Sequence, residues 1–236
     1  AAGMRLLIIP DWKQPAPDAA ALAWRILPSL RGAADCSELL SMAAVVFATC
    51  AVIMELLALA AVVYSFFRPD RRIWPPQGGH AWARNGMSFL FFGSAVCLAL
   101  TGLSDWGGLG LSDRIRLFLG LPLWTGGAAF AVAAFLQLGA ASSLGRSGGF
   151  MTGGLYAVTR HPQYVGSIIA LAGWSVLSAS GWVSAAALPA AAALLAAPFP
   201  EEAALREHFG GRYAEYARRT PRFLSVRLHR AQKEDS

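Results

Sequence analysis

Residues 39–67 read LLSMAAVVFATCAVIMELLALAAVVYSFF, with Glu55 the single charged side chain in the run. A bilayer hydrocarbon core is about 30 Å thick, and a helix needs roughly 20 consecutive apolar residues to cross it. The run exceeds that length and predicts a membrane-spanning helix that crosses with some tilt. Arg68, Arg71 and Arg72 close it at the headgroup level, and Pro69 breaks the helix.

Four further apolar segments follow. Gly86 to Leu103 and about Leu117 to Leu138 predict a second and a third span. Tyr164 to Ser180 and Trp182 to Pro198 predict two more, separated by a tight turn at Ser180-Gly181 and therefore a helical hairpin. The fold class expected is all-α: a polytopic membrane helix bundle of about five transmembrane helices with a C-terminal amphipathic cytoplasmic helix. In that last element, Leu205, Phe209, Tyr213 and Tyr216 share one helical face, and Gly210-Gly211 is a point where it can divide into two. Residues 1–38 are expected to be a weakly structured or interfacial segment without the layout of a signal peptide, and residues 39–236 a single membrane domain.

Composition agrees. The chain has 236 residues, 56% hydrophobic and only 14% charged, against about 25% charged in an ordinary soluble domain. Mean hydropathy is +0.46. A soluble enzyme and a disordered chain are both disfavoured. Net charge is +6, but the basic residues lie between apolar segments and in the tail. That pattern fits lipid headgroups and no nucleic acid. Of the 20 Lys and Arg, 14 fall in segments 68–85, 139–163 and 199–236. The positive-inside rule then predicts a multi-pass protein with a cytoplasmic C-terminus. Cys36, Cys50 and Cys97 form no C-x-x-C, and no H-E-x-x-H occurs, so neither a metal site nor a redox motif is supported.

Polar groups that can carry chemistry gather at one end of the later spans. Arg160-His161-Pro162-Gln163-Tyr164-Val165-Gly166 directly precedes the fourth span. Pro162 disfavours helix at His161, which puts Arg160 and His161 on irregular backbone at the membrane surface. A guanidinium there can clamp a carboxylate or phosphate, and a His can orient a ligand or move a proton. Both can also serve simply as headgroup anchors. Glu201-Glu202 follows the fifth span. At 100° per residue from Leu205 the two acids fall at about −40° and about +60°, flanking the apolar face. They either favour a helix N-terminus or accept from a diol or a cation. A loop with five glycines between Gly145 and Gly154 permits tight turns or close ligand approach. Glu55, an acid in mid-span, is either a functional position or a protonated acid bonded to a neighbouring helix.

Residues 138–224 resemble the integral-membrane methyltransferase family that includes isoprenylcysteine carboxyl methyltransferase and the phospholipid N-methyltransferases. The resemblance is carried by Gly154-Leu155-Tyr156, by Arg160-His161-Pro162-Gln163-Tyr164-Val165-Gly166, by Glu201-Glu202, by Phe209-Gly210-x-x-Tyr213-x-x-Tyr216 and by Pro221-Arg222-Phe223. Leu155 departs from the Pro common in the family at that place. The resemblance implies an S-adenosylmethionine-dependent enzyme that methylates a lipidic or small hydrophobic acceptor, through a carboxylate, thiol or amine, at the cytoplasmic membrane surface. It implies a cofactor site formed by Tyr156, Arg160, His161, Pro162, Tyr164, Gly166, Glu201 and Glu202, with Arg160 and Glu202 as the catalytic candidates. Two alternatives compete: an NADPH-dependent membrane reductase of the sterol-reductase type, which carries a similar motif but commonly an acid where this chain has Ser167, and a non-catalytic membrane accessory protein.

Overall fold

A computed structural model describes residues 19–76, 80–139 and 150–224, with side chains from residue 36 onward. The glycine loop up to Gly149, residues 1–18 of the N-terminal segment and the tail beyond Leu224 lie outside the described residues. Among the described residues there are helices and no strands. Helix α1 runs Ala19–Phe67, α2 Ala81–Ser104 and α3 Asp113–Leu138, the last with a π-helical stretch at Arg116–Gly120. After a 3₁₀ turn at Gly154–Ala157 come α4, Pro162–Ser178, and α5, Gly181–Ala196. Helices α6, Pro198–Phe209, and α7, Gly211–Arg219, follow. The chain divides into two units, Ala1–Ser41 and Met42–Ser236. Of the first, the stretch from Ala19 is helical.

Among the described residues, four helical segments are long and apolar enough to cross a membrane: Cys36–Phe67, Ala81–Ser104, Asp113–Leu138 and Gly181–Phe209. The remaining expected span is α4, at 17 residues about 25 Å long. Its start is set by Pro162 at the first helical position, where a missing N–H costs nothing, and by non-helical His161 before it. It ends in Ala179 at φ +49°. The expected turn at Ser180-Gly181 is present, with Ser180 Oγ accepting from Val183 N at 3.2 Å as the N-cap of α5.

The closest-packed pair is α3 with α4. A Cβ on Gly173 would stand 2.1 Å from Trp124 N, and one on Gly166 2.5 Å from Ala131 N. Small residues let the two backbones touch, which is how helices associate without a hydrophobic drive in lipid. At the end of the bundle away from Arg160, Arg116 Nε donates to Leu177 O at 2.9 Å and its guanidinium lies 4.5 Å over Trp106. There Ser180 Oγ donates to Asp105 Oδ2 at 2.6 Å. In mid-span, buried Glu55 accepts from Ser94 Oγ and so joins α1 to α2.

The C-terminal element is two helices. Gly210, at φ +54° and ψ −126°, holds a conformation open essentially to glycine alone. The face expected to turn inward does: Tyr213 is buried, and Leu205, Phe209 and Tyr216 are half-buried.

Candidate functional site

The N-terminal part of α6 supplies Glu201 and Glu202, and the irregular stretch before α4 supplies Arg160 and His161. Two hydrogen bonds to backbone carbonyls bring a third segment to them. Arg160 N donates to Pro221 O at 2.9 Å, and Thr159 Oγ1 donates to Arg222 O at 2.9 Å. The chain after α7 is thereby clipped alongside residues 159–161, and Arg222 is delivered to the acids.

Glu202 is the hub, with its side chain 0% exposed. Arg222 donates from Nε to Oε1 at 2.8 Å and from Nη2 to Oε2 at 2.9 Å. Arg160 Nη1 and Arg206 Nη2 reach Oε2 at 3.1 and 3.2 Å, and His161 Nε2 lies 3.3 Å from Oε1. A buried charge is tolerable only when paired and hydrogen-bonded, and here every guanidinium neighbour donates. Glu202 therefore sits as a carboxylate whose two oxygens are committed to side chains of the protein.

Glu201 is different. Its Oε1 accepts from Trp74 Nε1 at 2.7 Å and from the Tyr164 hydroxyl. Its Oε2 lies 3.4 Å from His161 Nδ1, and the side chain is 19% exposed. His161 thus stands with each ring nitrogen facing one acid, and its ring stacks on Tyr164 at 5.6 Å. Burial alone pushes the imidazolium toward neutrality. The hydrogen bonds and charges of Glu201 and Glu202 outweigh this and leave its pKa above the ordinary value.

Arg160, His161, Tyr164, Glu201 and Glu202 form one network. Tyr156 stands beside it: its hydroxyl donates to Ala134 O at 3.4 Å and accepts from Gln163 Nε2 at 3.1 Å. Tyr216 donates to its carbonyl at 2.6 Å. Burial pushes the Tyr156 phenol up to about 12, so it stays a neutral donor. Pro162 is buried at the start of α4, and Gly166 meets α3 instead of the acids.

Residues 115–212 match the family model of the phospholipid methyltransferases. This agrees with the resemblance to the integral-membrane methyltransferases and supports a membrane methyltransferase. The matched segment runs from α3 into α7 and contains Arg160, His161, Tyr164, Glu201 and Glu202, but not Arg222. No curated protein and no solved structure matches the chain.

Three residues complete the candidate site without being among those expected from the sequence. Arg222 stood in the closing Pro-Arg-Phe of the resemblance, which was the signal available. Arg206 is four residues after Glu202 on the same helix, a spacing that pairs side chains. Trp74 lies in the α1–α2 loop, where no local pattern points to an acid 127 residues away.

The residues present fit S-adenosylmethionine, which offers a carboxylate, an ammonium, a ribose diol and a sulfonium. Arg160 is largely buried; its Nε makes no close hydrogen bond among the described residues, and the Tyr213 hydroxyl lies near its guanidinium. An unmet buried N–H on a cation suits a carboxylate. Glu201, across His161 from Glu202 and 19% exposed, is an acceptor for hydroxyls or an ammonium.

Proposed function

We propose that this protein transfers a methyl group from S-adenosylmethionine to a lipidic or small hydrophobic acceptor at the cytoplasmic membrane surface. The observation that carries the reading is the largely buried guanidinium of Arg160, paired with Glu202 through one nitrogen only, inside the segment that matches the phospholipid methyltransferases. The cofactor supplies an electrophilic methyl on a sulfonium whose positive charge is lost on transfer. Arg160 binds the cofactor's carboxylate. Glu201 accepts from its diol or ammonium. Glu202 touches other side chains only, and it holds Arg160, His161 and Arg222 in place. His161, flanked by two acids that favour its protonated form, is placed to orient a ligand more than to act as a base. Fixing donor and acceptor in line is the main service of such a site, worth up to about 7–11 kcal/mol of barrier. A carboxylate or thiolate acceptor needs no general base; an amine acceptor enters as the free base.

The test is calorimetric binding of S-adenosylhomocysteine to the detergent-purified chain, with NADPH titrated in parallel. Micromolar binding of the first is expected, lost in Arg160→Ala. Binding of NADPH instead would make the protein a reductase. Binding of neither would favour an accessory role. A tag at Ser236 is expected to be shielded in sealed cells, and labelling from outside would overturn the cytoplasmic placement.

A further inference from the structure

Trp74 lies outside the segment that matches the methyltransferase family, yet its indole N–H donates to Glu201 Oε1 at 2.7 Å. The ring cannot swing away. It is 9% exposed, packs with Ala58, Val62, Met87 and Ala197, and meets Phe91 edge-on at 5.8 Å. The backbone beneath it is held as firmly. Ser65 Oγ accepts from Ile73 N at 3.0 Å and from Trp74 N at 2.9 Å. Arg72, with its side chain 2% exposed, pairs with Glu207 on α6. Three consecutive residues of the α1–α2 loop are thus fixed to the end of α1 and to the helix that bears the acids. Filling this apolar niche requires only a large ring, for which Phe would serve. A Trp adds an N–H that must find an acceptor when buried, and the acceptor it finds is a site acid.

We propose that Trp74 is a positioning residue of the candidate site, fixing Glu201 Oε1 so that Oε2 is presented to His161 and to a bound ligand. The indole N–H and the Tyr164 hydroxyl saturate one oxygen of Glu201 and leave the other turned toward His161 Nδ1. The α1–α2 loop is in this way a working part of the site. The ligand arm of the test rests on the methyltransferase reading; the contact itself does not.

The contact is read in the full chain in detergent micelles, with the indole nitrogens of its 8 Trp labelled with ¹⁵N. Trp74→Phe removes and so assigns one resonance. In Glu201→Ala that resonance is expected to move upfield and lose its protection from hydrogen exchange, while the other indoles stay. An unmoved Trp74 resonance would overturn the proposal. If Glu201→Ala does not fold, Trp74→Phe decides alone. It is expected to bind S-adenosylhomocysteine about tenfold more weakly, as for loss of one hydrogen bond to a charged acceptor. Phe91→Leu, which loosens the same ring without touching its N–H, is expected to lower the unfolding midpoint and leave affinity within about twofold. In the double variant Trp74→Phe/Glu201→Ala the losses are expected not to add. Additive losses, or equal weakening by Phe91→Leu, would reduce Trp74 to packing and sink the proposal. Failure of the unmodified chain to bind S-adenosylhomocysteine, with the Trp74 resonance still answering to Glu201, would sink the cofactor reading and leave the contact standing.

Discussion

Arg222 grips Glu202 at two points, Nε to Oε1 at 2.8 Å and Nη2 to Oε2 at 2.9 Å. The guanidinium also lies 4.2 Å over the ring of Phe199, one turn before the acids. Planarity serves both contacts at once: the fork matches a carboxylate, and the face stacks on an aromatic ring. The residue that does this comes 20 positions after its partner, from a segment beyond α7. The site is therefore closed by the chain's return path.

Arg222→Lys keeps the charge and loses the fork. It is expected to lower unfolding stability by about 1.5–3 kcal/mol, the worth of one hydrogen bond to a charged group. Glu202→Ala leaves three guanidinium groups without their anion and is expected to cost about 3–5 kcal/mol. Denaturant unfolding in mixed micelles followed by circular dichroism measures both. A Lys variant as stable as the parent would show that the second contact contributes nothing.

His161 makes stability depend on pH in a definite direction. Burial lowers its affinity for a proton, but hydrogen bonds donated to Glu201 and Glu202, with their charges, more than offset this, and the folded value lies above the ordinary 6.5. A group raised on folding contributes in full below its unfolded pKa and loses that contribution as pH rises through the folded value. The unfolding midpoint is therefore expected to fall as pH is raised from about 6 toward 9. In His161→Gln this decline should be missing; an equally steep decline there would place the titrating group elsewhere.

Gly173→Ala drives a methyl group to 2.1 Å from Trp124 N, backbone that cannot step aside alone. Overpacking of a closed seam costs about 1–3 kcal/mol or more, so a clear drop in melting temperature is expected. Gly126→Ala, in the same α3 helix with nothing within 4 Å of the added carbon, should be neutral or slightly stabilising. Equal behaviour of the two would contradict the observed packing of α3 on α4.

Ser65→Ala removes the acceptor shared by Ile73 N and Trp74 N at a site 1% exposed. Leaving buried N–H groups unmet is expected to cost about 1–3 kcal/mol. Hydrogen exchange read by mass spectrometry should show the α1–α2 loop losing protection ahead of α2. Unchanged protection in that loop would mean the Ser65 contacts do not hold it.

Much of the architecture was legible without coordinates. Apolar run length marks a membrane helix because the bilayer itself sets the length, and α1, α2 and α3 lie where their runs lie. Pro162, Ser180 and Gly210 mark element ends for reasons local to each residue: a fixed ring, a capping hydroxyl, a backbone free of Cβ. The motif around Arg160 and the Glu201-Glu202 pair likewise announced themselves, since charged groups beside apolar runs are costly and need a reason. What the sequence could not rank was the two acids. Adjacent in the chain and each flanking the same helical face, they differ only in what meets them: Glu202 is enclosed by Arg160, Arg206, Arg222 and His161, and Glu201 by Trp74 and Tyr164. Those partners come from separate stretches of chain, and their meeting depends on how α1, α4 and α6 pack and on where the strand after α7 is clipped. Local periodicity carries information over a few turns of helix. Which acid is buried as a hub and which is left facing a ligand is a matter of long-range contact, and that only the tertiary structure decided.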